Sequence, residues 1–218
     1  MPRLTPTVQH LLLINLVIFV AFQAPMENLP PAFAEGMYLY TTLFKSGLLG
    51  LRDLPAGMEG LFHPVQLLTH FFTHHSLFHF IFNMLALASL GPAVETVLGS
   101  RRFLYFYLFC GLAGGTMIAF LDPSPNPVIG ASGAIFGVMA AFAWQFPYQP
   151  LSFFFLPPLP ARTMVLIIAA ISALLVALQA TGANLGGMGV VSHFGHLAGM
   201  AAAILFYGIE RFLPLSRK

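Results

Sequence analysis

The chain of 218 residues is 58% apolar and only 7% charged, with nine Lys plus Arg against seven Asp plus Glu. A soluble globular chain runs about 45–50% apolar and about 25% charged, so these few charges cannot cover a soluble surface. The balance excludes a soluble enzyme, a disordered chain and a nucleic-acid binder, which needs a basic face. A mean hydropathy of +0.84 points instead to an all-α, polytopic membrane protein. A helical span takes about 20 residues, so six spans and their connections account for residues 1–218 as a single membrane domain with no soluble one.

Apolar stretches cover residues 8–23, 77–98, 103–121, 131–146, 163–180 and 191–213, and each reads as a transmembrane helix. The first resembles a secretory signal peptide, with Arg3 ahead of an apolar core. Asn15 interrupts that core, and a retained helix is expected. A long outer loop, about 25–73, carries apolar patches too short to span; short helices near the outer interface are expected there. Pro92 should weaken or kink the second span near its end. The single cysteine, Cys110, cannot form an internal disulfide or a Cys-based metal site, and reads as a small packing residue. Residues 181–189, with Gly182, Gly186, Gly187 and Gly189, read as a flexible link between the fifth and sixth spans.

Charge placement gives the orientation. With the N-terminus in the cytoplasm, the inner segments hold Arg3, Arg101, Arg102, Arg162, Arg211, Arg217 and Lys218. The outer segments hold only Lys45 and Arg52, which obeys the positive-inside rule. Glu27, Glu35, Asp53, Glu59 and Asp122 fall outside. Both termini are then cytoplasmic, and the composition fits a bacterial inner membrane.

Polar residues inside a membrane are costly and mark functional sites by default. Three clusters qualify: His74, His75, His79 and Asn83 opening the second span, Gly130-Ala131-Ser132-Gly133 opening the fourth, and His193 with His196 opening the sixth. In the orientation above all three lie at one shallow level beneath the outer face. His79 and Asn83, four apart, share a helix face and can both donate toward one point. A serine at a helix start has unpaired backbone N–H groups beside its hydroxyl, which suits an oxyanion. Gly130 and Gly133 permit close backbone approach. Gly133 with Gly137, and Gly195 with Gly199, form small-residue faces that would let Ser132 and His196 hydrogen-bond.

Each residue also has a plainer reading. Ser132 could be a packing serine, His196 an interfacial histidine and Asn83 an interhelical clasp. Glu95, beside Arg101 and Arg102, reads as a structural charge at the inner interface. His63, His70, His74, His75 and His79 could be a metal or haem cluster, but no His-Glu-x-x-His pattern and no nearby carboxylate completes one. No metal and no cofactor is expected.

The motifs His79-Phe80-Ile81-Phe82-Asn83, Gly130-Ala131-Ser132-Gly133-Ala134-Ile135-Phe136-Gly137 and His196-Leu197-Ala198-Gly199 resemble, in order and over nearly the whole chain, those of the rhomboid intramembrane serine proteases. Ala93-Val94-Glu95, Leu98-Gly99-Ser100 and residues 111–115 add to the likeness. The resemblance implies a six-transmembrane-helix rhomboid-like bundle in its minimal form. It implies Ser132 as nucleophile and His196 as general base, with His79 and Asn83 stabilising the oxyanion, and Gly130, Gly133, Phe136 and Gly199 in support. The implied partners are the lipid bilayer and transmembrane protein substrates, which enter laterally near the fifth span and present small residues at the cleaved bond. Phe136 stands where several relatives have a Tyr stacked under the catalytic histidine. Val65-Gln66 replaces a Trp-Arg pair of the first outer loop, which bears on how that loop is anchored. A rhomboid-like binding module that does not cleave is the main rival; such modules usually lack the Ser or the His.

Overall fold

The computed structural model describes residues 3–23, 30–44, 61–122, 126–152, 157–183, 186 and 191–212. Lys45, Arg52, Glu27, Asp53, Glu59, Gly187, Gly189, Arg217 and Lys218, used above for orientation and flexibility, lie outside the described residues. The helices in chain order are α1 (Pro6–Ile18), α2 (Pro31–Thr41), α3 (Gln66–Thr69), α4 (Leu77–Leu98), α5 (Ser100–Leu121), α6 (Ser132–Gln145), α7 (Ala161–Ala180) and α8 (His193–Phe212). The expected all-α polytopic bundle is what forms. A two-residue hairpin, β1 (Pro150–Leu151) with β2 (Leu159–Pro160), was not expected; it lies in the connection between α6 and α7.

Among the described residues three helices, α4, α5 and α7, are long and apolar enough to cross a membrane; α1, α6 and α8 contribute shorter apolar stretches. The outer surface of the bundle is apolar, with Leu85, Leu112, Leu166, Ile171, Leu174 and Ile204 all exposed. In water that shell would be costly, whereas in lipid it is the ordinary surface. The protein is an integral membrane protein.

At 14 residues α6 is about 21 Å long, against a hydrocarbon thickness of about 30 Å. Its shortness is tolerable because it lies in the middle of the bundle, packed on α4, α5, α7 and α8, so its ends meet protein rather than lipid. The helix continues past Pro92 without interruption, so the expected weakening does not end it. Gly99, at φ +80°, makes the one-residue reversal from α4 into α5, a conformation that favours glycine.

Glu95 is a structural charge, as expected, and its partners lie at the starts of α1 and α5. It is only 2% exposed, and its carboxylate accepts hydrogen bonds from the backbone N–H groups of Thr7 and Val8, each at 2.9 Å. The Thr5 hydroxyl donates to it at 2.5 Å and the Ser100 hydroxyl at 2.6 Å. A carboxylate at a helix start pairs orphan N–H groups and meets the positive end of the dipole. Glu95 thereby caps α1 and ties it to α4 and α5.

The long loop does contain short helices: α2, α3 and a 3₁₀ turn over His70–Phe72. Its anchor is Gln66, which is fully buried. Its amide donates to the carbonyls of Leu39 at 2.6 Å and Leu61 at 2.8 Å, and its Oε1 accepts from Phe44 N at 3.3 Å. So Gln66, at the position of the Trp-Arg departure, secures the loop by side-chain to backbone bonds. Leu43 and Val128 then exchange two backbone hydrogen bonds, fastening the loop to the segment that leads into α6.

Candidate active site

Ser132 is the first residue of α6. Gly130, at φ +123°, turns the chain into the helix, and its N–H is held by the His70 carbonyl at 2.8 Å. The His70 ring is fixed in turn: Nδ1 donates to the Gln66 carbonyl at 2.7 Å. Burial pushes this imidazole from 6.5 down to about 4, against the pull of that carbonyl, so it stays neutral. The first turn of α6 leaves the Ser132 N–H without a preceding helical carbonyl, beside its own hydroxyl.

His196 lies in the first turn of α8 and is buried. Ser192 caps that turn: its Oγ accepts from Gly195 N at 3.2 Å and donates to Asp122 Oδ2 at 2.9 Å. Asp122, one of the acids placed on the outer side, is fully buried at the end of α5. The neighbouring backbones then come together through glycine. A Cβ on Gly199 would run into the Gly133 carbonyl, and one on Gly133 would meet Gly195 O at 3.5 Å. Gly114 of α5 joins the same contact, and Cys110 packs on Gly137. This approach brings His196 Nε2 to 2.9 Å from Ser132 Oγ. Phe136, one turn after Ser132, stacks on the His196 ring with centroids 3.8 Å apart and planes 10° apart.

His79 and Asn83 face the same cavity from α4. The Ser76 hydroxyl caps this helix by accepting from His79 N at 3.2 Å. His75 N donates to His79 Nδ1 at 3.4 Å, which makes Nδ1 an acceptor and leaves the proton on Nε2. That Nε2 lies against Gly130, where an added Cβ would meet it at 2.8 Å. Asn83 is less free than its spacing suggests. Its Nδ2 donates to the His79 carbonyl at 2.8 Å, so one amide hydrogen remains for a ligand. His193 also lines the cavity, its ring edge-on to His196 at 5.8 Å.

The cavity has a volume of about 560 Å³ and opens between α4, α6, α7 and α8. Ser132, His196, His79 and Asn83 therefore line one space. The histidine run is dispersed: His63 packs on Tyr40, His70 serves the α6 entry and His74 packs between His79 and Phe80. Among the described residues no three His, Cys, Asp or Glu side chains gather as a metal site. The sequence alone did not pair Ser192 with Asp122 or assign Gly114, within the 111–115 stretch, to the α6–α8 contact. A Ser just before an apolar helix is a cap signal; its partner and the glycine contact are set by the tertiary fold.

Residues 62–211 match the Rhomboid domain. The chain is 48% identical over 79 residues to Rhomboid protease GluP of Bacillus subtilis, covering 36% of this chain and 15% of that protein. It is 32% identical over 144 residues to Rhomboid protein 1, mitochondrial, of Saccharomyces cerevisiae, covering 62% and 38%. It is also 32% identical over 147 residues to the presenilin-associated rhomboid-like protein, mitochondrial, of Bos taurus, covering 64% and 37%. The chain thus spans well under half the length of these relatives.

Proposed function

The chain belongs to the rhomboid family, and from that premise we propose that it is an intramembrane serine endopeptidase cleaving transmembrane segments of membrane proteins. The observation that carries this reading is the 2.9 Å contact between His196 Nε2 and Ser132 Oγ on the wall of a cavity. Ser132 attacks the scissile carbonyl while His196 takes its proton. The tetrahedral oxyanion is met by His79 Nε2–H, the second Asn83 amide hydrogen and the α6 N-terminal N–H. Phe136 holds the imidazole plane by stacking, without the hydroxyl a Tyr would add. The protonated His196 then gives its proton to the leaving amine, and water activated by the same imidazole hydrolyses the acyl-enzyme.

A peptide bond inside a helix is a poor target, so the substrate unwinds locally within the cavity. In the orientation that the charges favour, the six apolar helices each cross the bilayer, both termini are cytoplasmic and the cavity opens outward. Lateral entry past α7 and small residues at the cleaved bond follow from the family resemblance; the composition fits a bacterial inner membrane and an organelle membrane alike.

The test is Ser132→Ala in liposomes with a transmembrane substrate. The variant should insert and melt normally, lose fluorophosphonate labelling and retain less than about 1% of wild-type cleavage, because no covalent route remains. Cleavage above that level would refute the assignment.

A further inference from the structure

Ser172 lies on α7, where every residue from Met164 to Leu178 except Ser172 is Met, Val, Leu, Ile or Ala. Exposed Leu166 and Leu174 show how much of that helix is apolar outer surface, yet Ser172 is 3% exposed. It lines the cavity with Ile168 and Ile171, the other α7 residues there.

A hydroxyl in a membrane helix ordinarily bonds the carbonyl four residues back. Thr96 and Thr116 do so in this protein, at 2.7 and 2.8 Å. Ser172 does not, and it makes no hydrogen bond to any described residue. Nor is its oxygen sealed inside the protein, since it is not among the fully enclosed unpaired atoms. A buried hydroxyl without a partner is unfavourable in an apolar setting, and this one borders the space that holds Ser132. Among the described residues no Lys, Arg, Asp or Glu lines that space, so a charged ligand group would find no counter-ion among them.

We propose that Ser172 is a specificity-determining residue whose hydroxyl hydrogen-bonds a neutral polar side chain, a hydroxyl or an amide, of the substrate segment in the cavity. The proposal rests on the protease reading. The substrates selected are transmembrane segments carrying Ser, Thr, Asn or Gln near the cleaved bond.

The experiment uses the full chain in liposomes and a panel of transmembrane substrates in which single Val residues flanking the cleaved bond are replaced by isosteric Thr. The wild type should show one position where Thr raises kcat/KM about five- to tenfold over Val, the worth of one neutral hydrogen bond. Ser172→Ala should bring that ratio to about one, and Ser172→Cys, with its weak S–H donor, to about two or less. Thermal melting verifies that both variants are folded. A ratio unchanged in either folded variant, or no position of Thr preference in the wild type, overturns the proposal while leaving the protease reading intact. A wild type that cleaves nothing and is not labelled by fluorophosphonate overturns both.

Discussion

His193 and His196 sit three residues apart on α8 and both line the cavity, but only His196 reaches Ser132 Oγ and stacks on Phe136. His196→Ala should therefore abolish cleavage and fluorophosphonate labelling, while His193→Ala keeps substantial activity. An active, folded His196→Ala enzyme would transfer the role to His193. The two α4 donors are expected to differ. Asn83 already spends one amide hydrogen on the His79 carbonyl, so Asn83→Ala should lower kcat by about 10²-fold or less. His79→Ala should cost a similar or larger factor, because it removes the Nε2–H beside Gly130 and the carrier of that proton altogether. Single-turnover kinetics of the two variants measures the difference; unchanged kcat in both would make the α4 cluster structural.

At the scale of elements, the site exists because α5, α6 and α8 come together on glycine. Gly199→Ala places a Cβ on the Gly133 carbonyl, which a shift of α8 relative to α6 must relieve. Overpacking costs about 1–3 kcal/mol, and the same shift pulls His196 away from Ser132. Gly208, on the same helix, has nothing within 4 Å of an added Cβ. Gly199→Ala should lower the melting temperature and abolish labelling, whereas Gly208→Ala should change neither. The segment entering α6 has its own signature. His70 is neutral when folded, down to about 4 from 6.5, so the unfolded chain binds more protons between those values. Its contribution is full above pH 6.5 and declines as the pH falls toward 4, by an amount on the order of 3 kcal/mol at 1.36 per pH unit. Melting of the wild type over that window should fall more steeply than that of His70→Asn.

Across the whole molecule, orientation is set by charge and by the apolar shell together. Tyr148, between α6 and α7, and Thr181, at the end of α7, are both exposed and lie at opposite ends of α7. Cys110 is buried, so a new surface cysteine reports alone. In intact cells a membrane-impermeant thiol reagent should label Thr181→Cys and should reach Tyr148→Cys only after permeabilisation. The reverse pattern would invert the topology and place the cavity on the cytoplasmic side. The Glu95 cap joins α1 to the opposite end of α4 from the cavity, so it supports the bundle without touching the site.

The amino-acid sequence by itself was enough for the all-α polytopic class, since apolar runs are local properties; the second stretch, 77–98, coincides with α4. It was also enough to single out Ser132, His196, His79 and Asn83, because polar residues in hydrocarbon are conspicuous wherever they stand. The tertiary structure decided what those residues touch. Asp122 was legible only as an acid on the outer side; the fold buries it against Ser192, 70 residues away. Glu95 was legible as a structural charge, but not that it closes the start of α1. Asn83 reads as a free donor, yet its rotamer bonds the preceding turn. Gln66 looked like the loss of an anchor and is one. In each case the partner is a backbone group or a side chain distant in sequence. Hydrophobic periodicity records which face of a helix avoids water, but not which neighbour that face meets, and the neighbour is what fixes the hydrogen bond.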